Sequence, residues 1–350
     1  MPARIDIWIQ TFGLGHITRQ LNLVHELIRQ GFTTPNNVRF FPDSSLPIQQ
    51  LIIQNGFSFI SRPDELDKAS ELIANLWRNN RPDIFILDTV DHDCHPALLK
   101  LLQDPAVISL AIIDDPSNRS VHADLVANVL PSMWKTPPPD DKAEYLMGKD
   151  YFILAREFAD MHASQRIIAN KCTKGVAFFG GVDGNHFTPT FLDAIESFEM
   201  LQWTLIVGAL YPHREWLQCE LQQRGLPVQP VWNVESMAHT LFEYDIAVIA
   251  AGNALVETAA VGTPTIAFAQ NEIQFENAAF FARNCGIFNM GLYGTFTATD
   301  LSRAIQLCIN DEKARIEQCR CLKGMIDGLG AQRVANALRH QWAKRRTLAV

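Results

Sequence analysis

Two periods alternate along the chain. Short apolar runs of strand length lead into loops bearing Gly or Asp. Stretches with apolar residues three and four positions apart follow. The first unit reads as a strand over Ile5–Gln10, a loop over Thr11–Gly15 and a helix from His16 to Gln30, stopped by Gly31. Ile17, Leu21, Val24 and Ile28 share one helical face. Further strands are expected at Asp83–Leu87, Val107–Ile113 and Asp124–Val129, with a helix near Pro96–Leu102. The Pro-rich stretch Pro131–Asp141 reads as a long loop.

The alternation restarts with strands at Gly175–Phe179, Thr204–Gly208, Val228–Trp232, Asp245–Ala250 and Thr265–Ala269. Helices are expected at Phe191–Met200, Arg214–Arg224, Glu235–Phe242, Leu255–Val261 and Phe275–Asn284. The chain ends in helical segments at Asp300–Ile309, Glu312–Met325 and Ala331–Ala343. Strands alternating with helices predict parallel sheets covered on both faces. The pattern occurs twice, so the expected class is α/β, with two Rossmann-like domains facing across a cleft. The expected boundaries are 1–168, 169–335 and a C-terminal helix and tail over 336–350. Ligands of such sheets bind beyond the carboxyl ends of the strands, so the chemistry belongs in the loops that follow them.

The chain has 350 residues, 47% hydrophobic and 19% charged, enough for two stable cores and against disorder. A net charge of −8 argues against a broad nucleic-acid face, so an anionic ligand must be held by local donors. No apolar run is long enough to cross a bilayer, and the N-terminus lacks the layout of a signal peptide. The seven cysteines are scattered without a C-x-x-C pair, which suggests reduced thiols in a cytoplasmic protein. Lys344, Arg345 and Arg346 read as a solvated helix end, with weak attraction to a membrane surface as the minor alternative.

The first loop carries Gly13 and Gly15 and then His16 at a helix start, where the dipole favours a neutral imidazole able to act as a general base. Thr18 stands where a dinucleotide fingerprint needs its third glycine, so NAD binding is disfavoured. The plainer role for His16 is a helix cap. Asp88 ends a strand, where a carboxylate holds a sugar hydroxyl or orients a base. Asp91, His92, Asp93 and His95 fit no zinc spacing, and no metal or cofactor is expected. Asp114 and Asp115 either serve acid–base chemistry or cap a turn before Pro116. In the second half, Gly180, Gly181 and Asp183 follow one strand; Gly252, Asn253 and Ala254 follow another. Both loops offer backbone donors to a diphosphate, though neither is a P-loop. Glu257 lies where a carboxylate reaches ribose hydroxyls, while Asn271 and Gln274 follow the next strand and suit sugar hydroxyls. Ordinary tight turns would explain each glycine alone.

These pieces occur in an order that resembles a known family. They are GLGHITR (Gly13–Arg19), LDTVDHD (Leu87–Asp93), IDDPSNR (Ile113–Arg119), GKDYFILAREF (Gly148–Phe158), FFGGVD (Phe178–Asp183), IVGALYPH (Ile206–His213), NVESMA (Asn233–Ala238), and AAGNALVE with GTPTIAFA (Ala250–Ala269). The set resembles the nucleotide-sugar hydrolases of pseudaminic acid biosynthesis and their spore-coat-polysaccharide relatives. These are grouped with the GT-B glycosyltransferases, near the lipid-II-forming N-acetylglucosaminyltransferase. The resemblance implies a metal-independent enzyme acting on a UDP-linked amino or acetamido deoxy sugar with inversion. The first domain would hold the sugar and the second the uridine diphosphate. It implies that His16 is the base on water and that Arg19, Tyr151, Arg156 and Glu157 lie near the sugar. A glycosyltransferase with the same donor side, or a sugar-nucleotide-binding protein without catalysis, are the alternatives. Ala254, Leu255 and Val256 stand where the family carries hydroxyl side chains, so phosphate contacts would fall to backbone amides, Asn253 and the helix end.

Overall fold

A computed structural model describes residues 2–9, 14–89, 100–113, 123–130, 143–208, 210–232 and 234–348. The expected loop at Pro131–Asp141, and Gly13, Asp91, His92, Asp93, His95, Asp114 and Asp115, lie outside the described residues. Contacts divide the chain into one unit of Met1–Arg156 with Leu329–Val350 and a second of Glu157–Gly328.

The first unit is built on a seven-stranded parallel sheet. Its strands are β1 (Ile5–Ile9), β2 (Val38–Phe41), β3 (Ser58–Phe59), β4 (Ile84–Thr89), β5 (Ile108–Ile113), β6 (Leu125–Asn128) and β7 (Glu144–Met147), in the order β3-β2-β1-β4-β5-β6-β7. The helices of this unit are α1 (Gly15–Arg29), α2 (Leu46–Gln54) and α3 (Leu66–Asn79). Every residue of β1 is buried, Asp6 included. Arg39 donates twice to the Asp6 carboxylate at 2.8 Å and Trp77 Nε1 once at 2.7 Å, so the buried charge is paired. That pairing explains why β2 escapes a hydrophobicity reading: its Arg39 points at a partner inside the fold. One face of the sheet carries Ile5, Ile7 and Ile9 against Ile17, Leu21 and Val24 of α1. Each such buried side chain contributes roughly 1.5–3 kcal/mol of transfer free energy.

The second unit has a six-stranded parallel sheet of β8 (Lys174–Phe178), β9 (Gln202–Ile206), β10 (Val228–Val231), β11 (Ile246–Ala250), β12 (Thr265–Ala269) and β13 (Phe288–Leu292). The order is β10-β9-β8-β11-β12-β13. After α4 (Arg156–Ala163), the helices are α5 (Thr188–Ile195), α6 (Arg214–Arg224), α7 (Met237–Glu243), α8 (Asn253–Val261), α9 (Glu272–Cys285), α10 (Ala298–Asn310) and α11 (Glu312–Met325). Helix α8 is buried almost all round and ends at Gly262, whose φ of +74° suits a residue without a Cβ.

Three expectations are corrected. The C-terminal segment is no separate tail: α12 (Gly330–Leu348) returns to the first unit, where Ala331, Val334, Ala335 and Leu338 join the core beside α1. The second unit therefore starts at 157, not 169, and stops at 328, not 335. The basic helix end is not freely solvated, because Arg345 donates to the Val107 carbonyl and the Asp124 carboxylate, and Arg346 stacks on Trp342. Finally, Cys285 and Cys321 form a disulfide between α9 and α11, with Cα atoms 5.3 Å apart. Thirty-six residues separate them in sequence, so no local spacing announced the pair; the thiol argument for a cytoplasmic setting falls with it. Among the described residues, no helix is long and apolar enough to cross a membrane.

Candidate functional site

Each sheet reverses its strand order once: between β1 and β4 in the first unit, and between β8 and β11 in the second. Open α/β sheets bind ligands outside the carboxyl ends of the strands at such a switch point. Both candidate regions fall there.

In the first unit, α1 starts at the carboxyl end of β1 with Gly15 in its first turn and no acidic residue there. His16, Arg19 and Gln20 are spaced i, i+3 and i+4, which puts them on one face, and that face meets Asp88 on β4. His16 Nδ1 lies 2.7 Å from Asp88 Oδ1. Arg19 donates from Nε to Oδ2 at 2.7 Å and from Nη2 to Oδ1, and Gln20 Nε2 donates to Oδ2 at 2.6 Å. Burial pushes the Asp88 carboxyl up, but the Arg19 guanidinium and His16 outweigh it and hold the group far below the ordinary carboxylate range. His16 Nδ1 faces both Asp88 Oδ1, which accepts, and Arg19 Nη2 at 2.9 Å, which can only donate.

Three N–H donors of Arg19 and Gln20, with His16 Nδ1 beside them, crowd the Asp88 carboxylate. Much of the acceptor capacity of Asp88 is taken up within the unit by Arg19 and Gln20. Arg19 is likewise committed to Asp88 and buried. Tyr151 follows β7 and is packed against the core of the first unit. Arg156 closes that unit in sequence, and its charge acts on Glu26. Sequence reasoning missed Gln20, which its i+4 spacing from His16 could have shown.

In the second unit, the loops after β8, β11 and β12 are neighbours along one sheet edge. Gly180 has φ +90°, and the carbonyl oxygens of Gly180 and Gly181 press so closely on Gly208 that no Cβ fits there. Gln270 Nε2 donates to the Phe179 carbonyl, tying the β12 loop to the β8 loop. Gly252 precedes α8, whose first residues are Asn253 and the buried Ala254. Gln274 accepts from the Gln270 amide through Oε1, which leaves its amide nitrogen 3.5 Å from where a Cβ on Gly252 would lie. Glu257, a turn further into α8, is half-buried, and its Oε2 is shielded from water without a hydrogen-bond partner among the described residues. Burial, and after it the charge of Glu157, push this carboxyl up to about 7.

Several expected binding residues make local hydrogen bonds that set helix starts. Asp183 accepts from the Phe187 and Thr188 amides and the Thr188 hydroxyl, which fixes the start of α5 and occupies the carboxylate. Asn271 is the N-cap of α9, accepting from the Gln274 amide. Glu157 accepts from Ser236 Oγ at 2.6 Å and from the Ala238 amide, so it holds the start of α7 within the second unit.

No family model matches the sequence. An uncharacterized protein of Methanocaldococcus jannaschii is 26% identical over 276 residues, 75% of this chain and 54% of that protein, so the match spans about half its length. The spore coat polysaccharide biosynthesis protein SpsG of Bacillus subtilis is 20% identical over 331 residues, 93% of this chain and 94% of that one. Among solved structures, MurG of Acinetobacter baumannii superposes with a TM-score of 0.69 at 14% identity, covering 97% of this chain and all of that one. The glycotransferase of kitacinnamycin gives 0.67 at 16%, covering 97% and 99%. With its two parallel-sheet units, the chain has the GT-B fold that these glycosyltransferases share.

Proposed function

We propose that the protein is a nucleotide-sugar hydrolase that splits a UDP-linked amino or acetamido deoxy sugar into UDP and free sugar with inversion, in surface-glycan synthesis. The observation that carries this reading is the His16–Asp88 pair at the switch point of the first sheet. Asp88 holds the ring so that Nε2 takes the proton of an incoming water. The water oxygen attacks the anomeric carbon, and the bond from that carbon to the diphosphate oxygen breaks with both electrons leaving on UDP. General-base help of this kind is worth about 10²–10⁴-fold.

The second unit supplies the leaving-group side. Backbone amides after Gly252 at the α8 N-terminus, with Asn253 and the Gln274 amide, suit a diphosphate whose charge grows in the transition state. Glu257, with an acceptor oxygen unfilled inside the fold, suits the ribose hydroxyls. Gly13 and Asp115 remain candidates on the sugar side from their motif alone. A transferase reading is favoured by the names of the solved relatives and differs only in the nucleophile. Incubation with a panel of UDP-amino and UDP-acetamido sugars tests both. UDP release without acceptor, with the free sugar of opposite anomeric configuration by proton NMR, supports hydrolysis. Release that requires an acceptor alcohol assigns transfer, and binding without release removes catalysis.

A further inference from the structure

Other buried or half-buried arginines among the described residues have close acceptors. Arg39 grips Asp6, Arg19 grips Asp88, and Arg166 and Arg315 donate to three and four backbone carbonyls respectively, although the Nε of each of these two is, like that of Arg62, buried without a partner among the described residues. Arg62 is the exception. It is 8% exposed, and its guanidinium lies 4.3 Å from the centroid of the Trp8 ring. Among the described residues, its acceptors are the carbonyls of Ile9 and Pro63, both at 3.4 Å, and its Nε is buried without a partner. The charges of Asp43 and Asp64 reach it without forming an ion pair among the described residues, and burial pushes its pKa down. A guanidinium has five N–H donors in a planar fork, so three are unspent here. A buried cation without a paired anion is costly, and proteins rarely keep one without a use.

Its position gives the use. The Arg62 amide donates to the Pro42 carbonyl, just past β2, so the residue stands at the carboxyl edge of the sheet. Its side chain crosses to the end of β1, where Ile9 is the register partner of Asp88. The fork therefore lies at the same sheet edge as the His16–Asp88 pair, over Trp8 on the face away from α1. The aromatic face of Trp8 fixes the plane of the guanidinium, which pre-organises it for a bidentate oxyanion.

We propose that Arg62 recognises an anionic group, a carboxylate or a phosphate, on the molecule bound at the carboxyl edge of the first sheet. This rests on the reading of that edge as the sugar side and narrows it. Either the sugar of the substrate or a second molecule meeting it carries a negative group besides the diphosphate. An Arg fork discriminates such a group from its neutral counterpart by both charge and geometry.

The test uses the full chain and titration calorimetry. UDP-glucuronate and UDP-glucose differ only by the carboxylate, UDP alone reports the nucleotide side, and inorganic phosphate probes the fork without any nucleotide. If the anion is on the sugar, wild type binds UDP-glucuronate at least about tenfold more tightly than UDP-glucose, Arg62→Met erases the ratio, and Arg62→Lys keeps only part of it. If the anion is on a second molecule, the two UDP-sugars bind alike, but phosphate binds wild type and not Arg62→Met. The proposal is overturned if wild type shows neither preference, a result independent of how the variants fold, or if either preference survives in a folded Arg62→Met. Failure of UDP to bind counts against the nucleotide reading, while the phosphate arm still decides Arg62.

Discussion

Glu257→Gln separates stability from binding in one residue. The carboxyl titrates at about 7 in the fold against an ordinary 4.5, because burial and then Glu157 penalise its charge. A folded-state value raised above the unfolded one means that the native state holds the proton longer. The associated stability is fully present below about pH 4.5 and is lost as pH rises through about 7. At ~1.4 kcal/mol per pH unit, the gap is worth about 3 kcal/mol, of which about 2.5 falls between pH 5 and 8.5. Gln keeps the shape and cannot ionise; its amide can also donate to Glu157. The variant should therefore gain on wild type by about 2.5 kcal/mol as the pH is raised from 5 to 8.5. Urea unfolding of both proteins at the two pH values, followed by tryptophan fluorescence, measures the difference of differences. An identical gap at both pH values would refute the reasoning, since it would mean that Glu257 carries no desolvated charge. The same substitution replaces an anionic acceptor with a weaker one, and UDP affinity should fall about tenfold or more, at the scale of a charge-assisted hydrogen bond.

Other substitutions probe other links. His16→Gln should lower UDP release at least about 10²-fold while UDP affinity holds, so unchanged turnover would remove it as base. Asp88→Asn should cut turnover and also destabilise the first unit by about 3 kcal/mol at pH 7, because Arg19 stays buried without its anion. Since the Asp88 pKa is depressed, that contribution is present above the ordinary carboxylate range and fades as pH falls below it, so the two proteins should converge in acid. Thr297→Ala removes the capping box of α10 and should cost about 1 kcal/mol in thermal or urea unfolding without touching nucleotide affinity. Gly208→Ala drives a methyl into the Gly180 and Gly181 carbonyls; UDP binding by calorimetry should weaken as that loop shifts.

The one-dimensional pattern was enough for the two parallel sheets, since runs such as those of β1, β4, β5, β11 and β12 are mostly apolar and buried on both faces. It also made His16, Asp88 and Glu257 candidates, because the carboxyl ends of strands and the helix starts beyond them are where such sheets bind ligands. Short or charge-bearing strands stayed hidden: β3 has two residues, and β2 carries an arginine whose partner, Asp6, is 33 residues away. Tertiary structure alone decided which polar residues were already spent. Asp183 and Asn271 look like ligand contacts in sequence, yet each carboxylate or amide oxygen closes a helix start a few residues on. The return of α12 to the first core, the union of Cys285 with Cys321, and the unspent fork of Arg62 beneath the end of β1 all depend on chain segments distant in sequence. Local periodicity reports which face of an element is apolar; it does not report what that face, or a charge beside it, will meet.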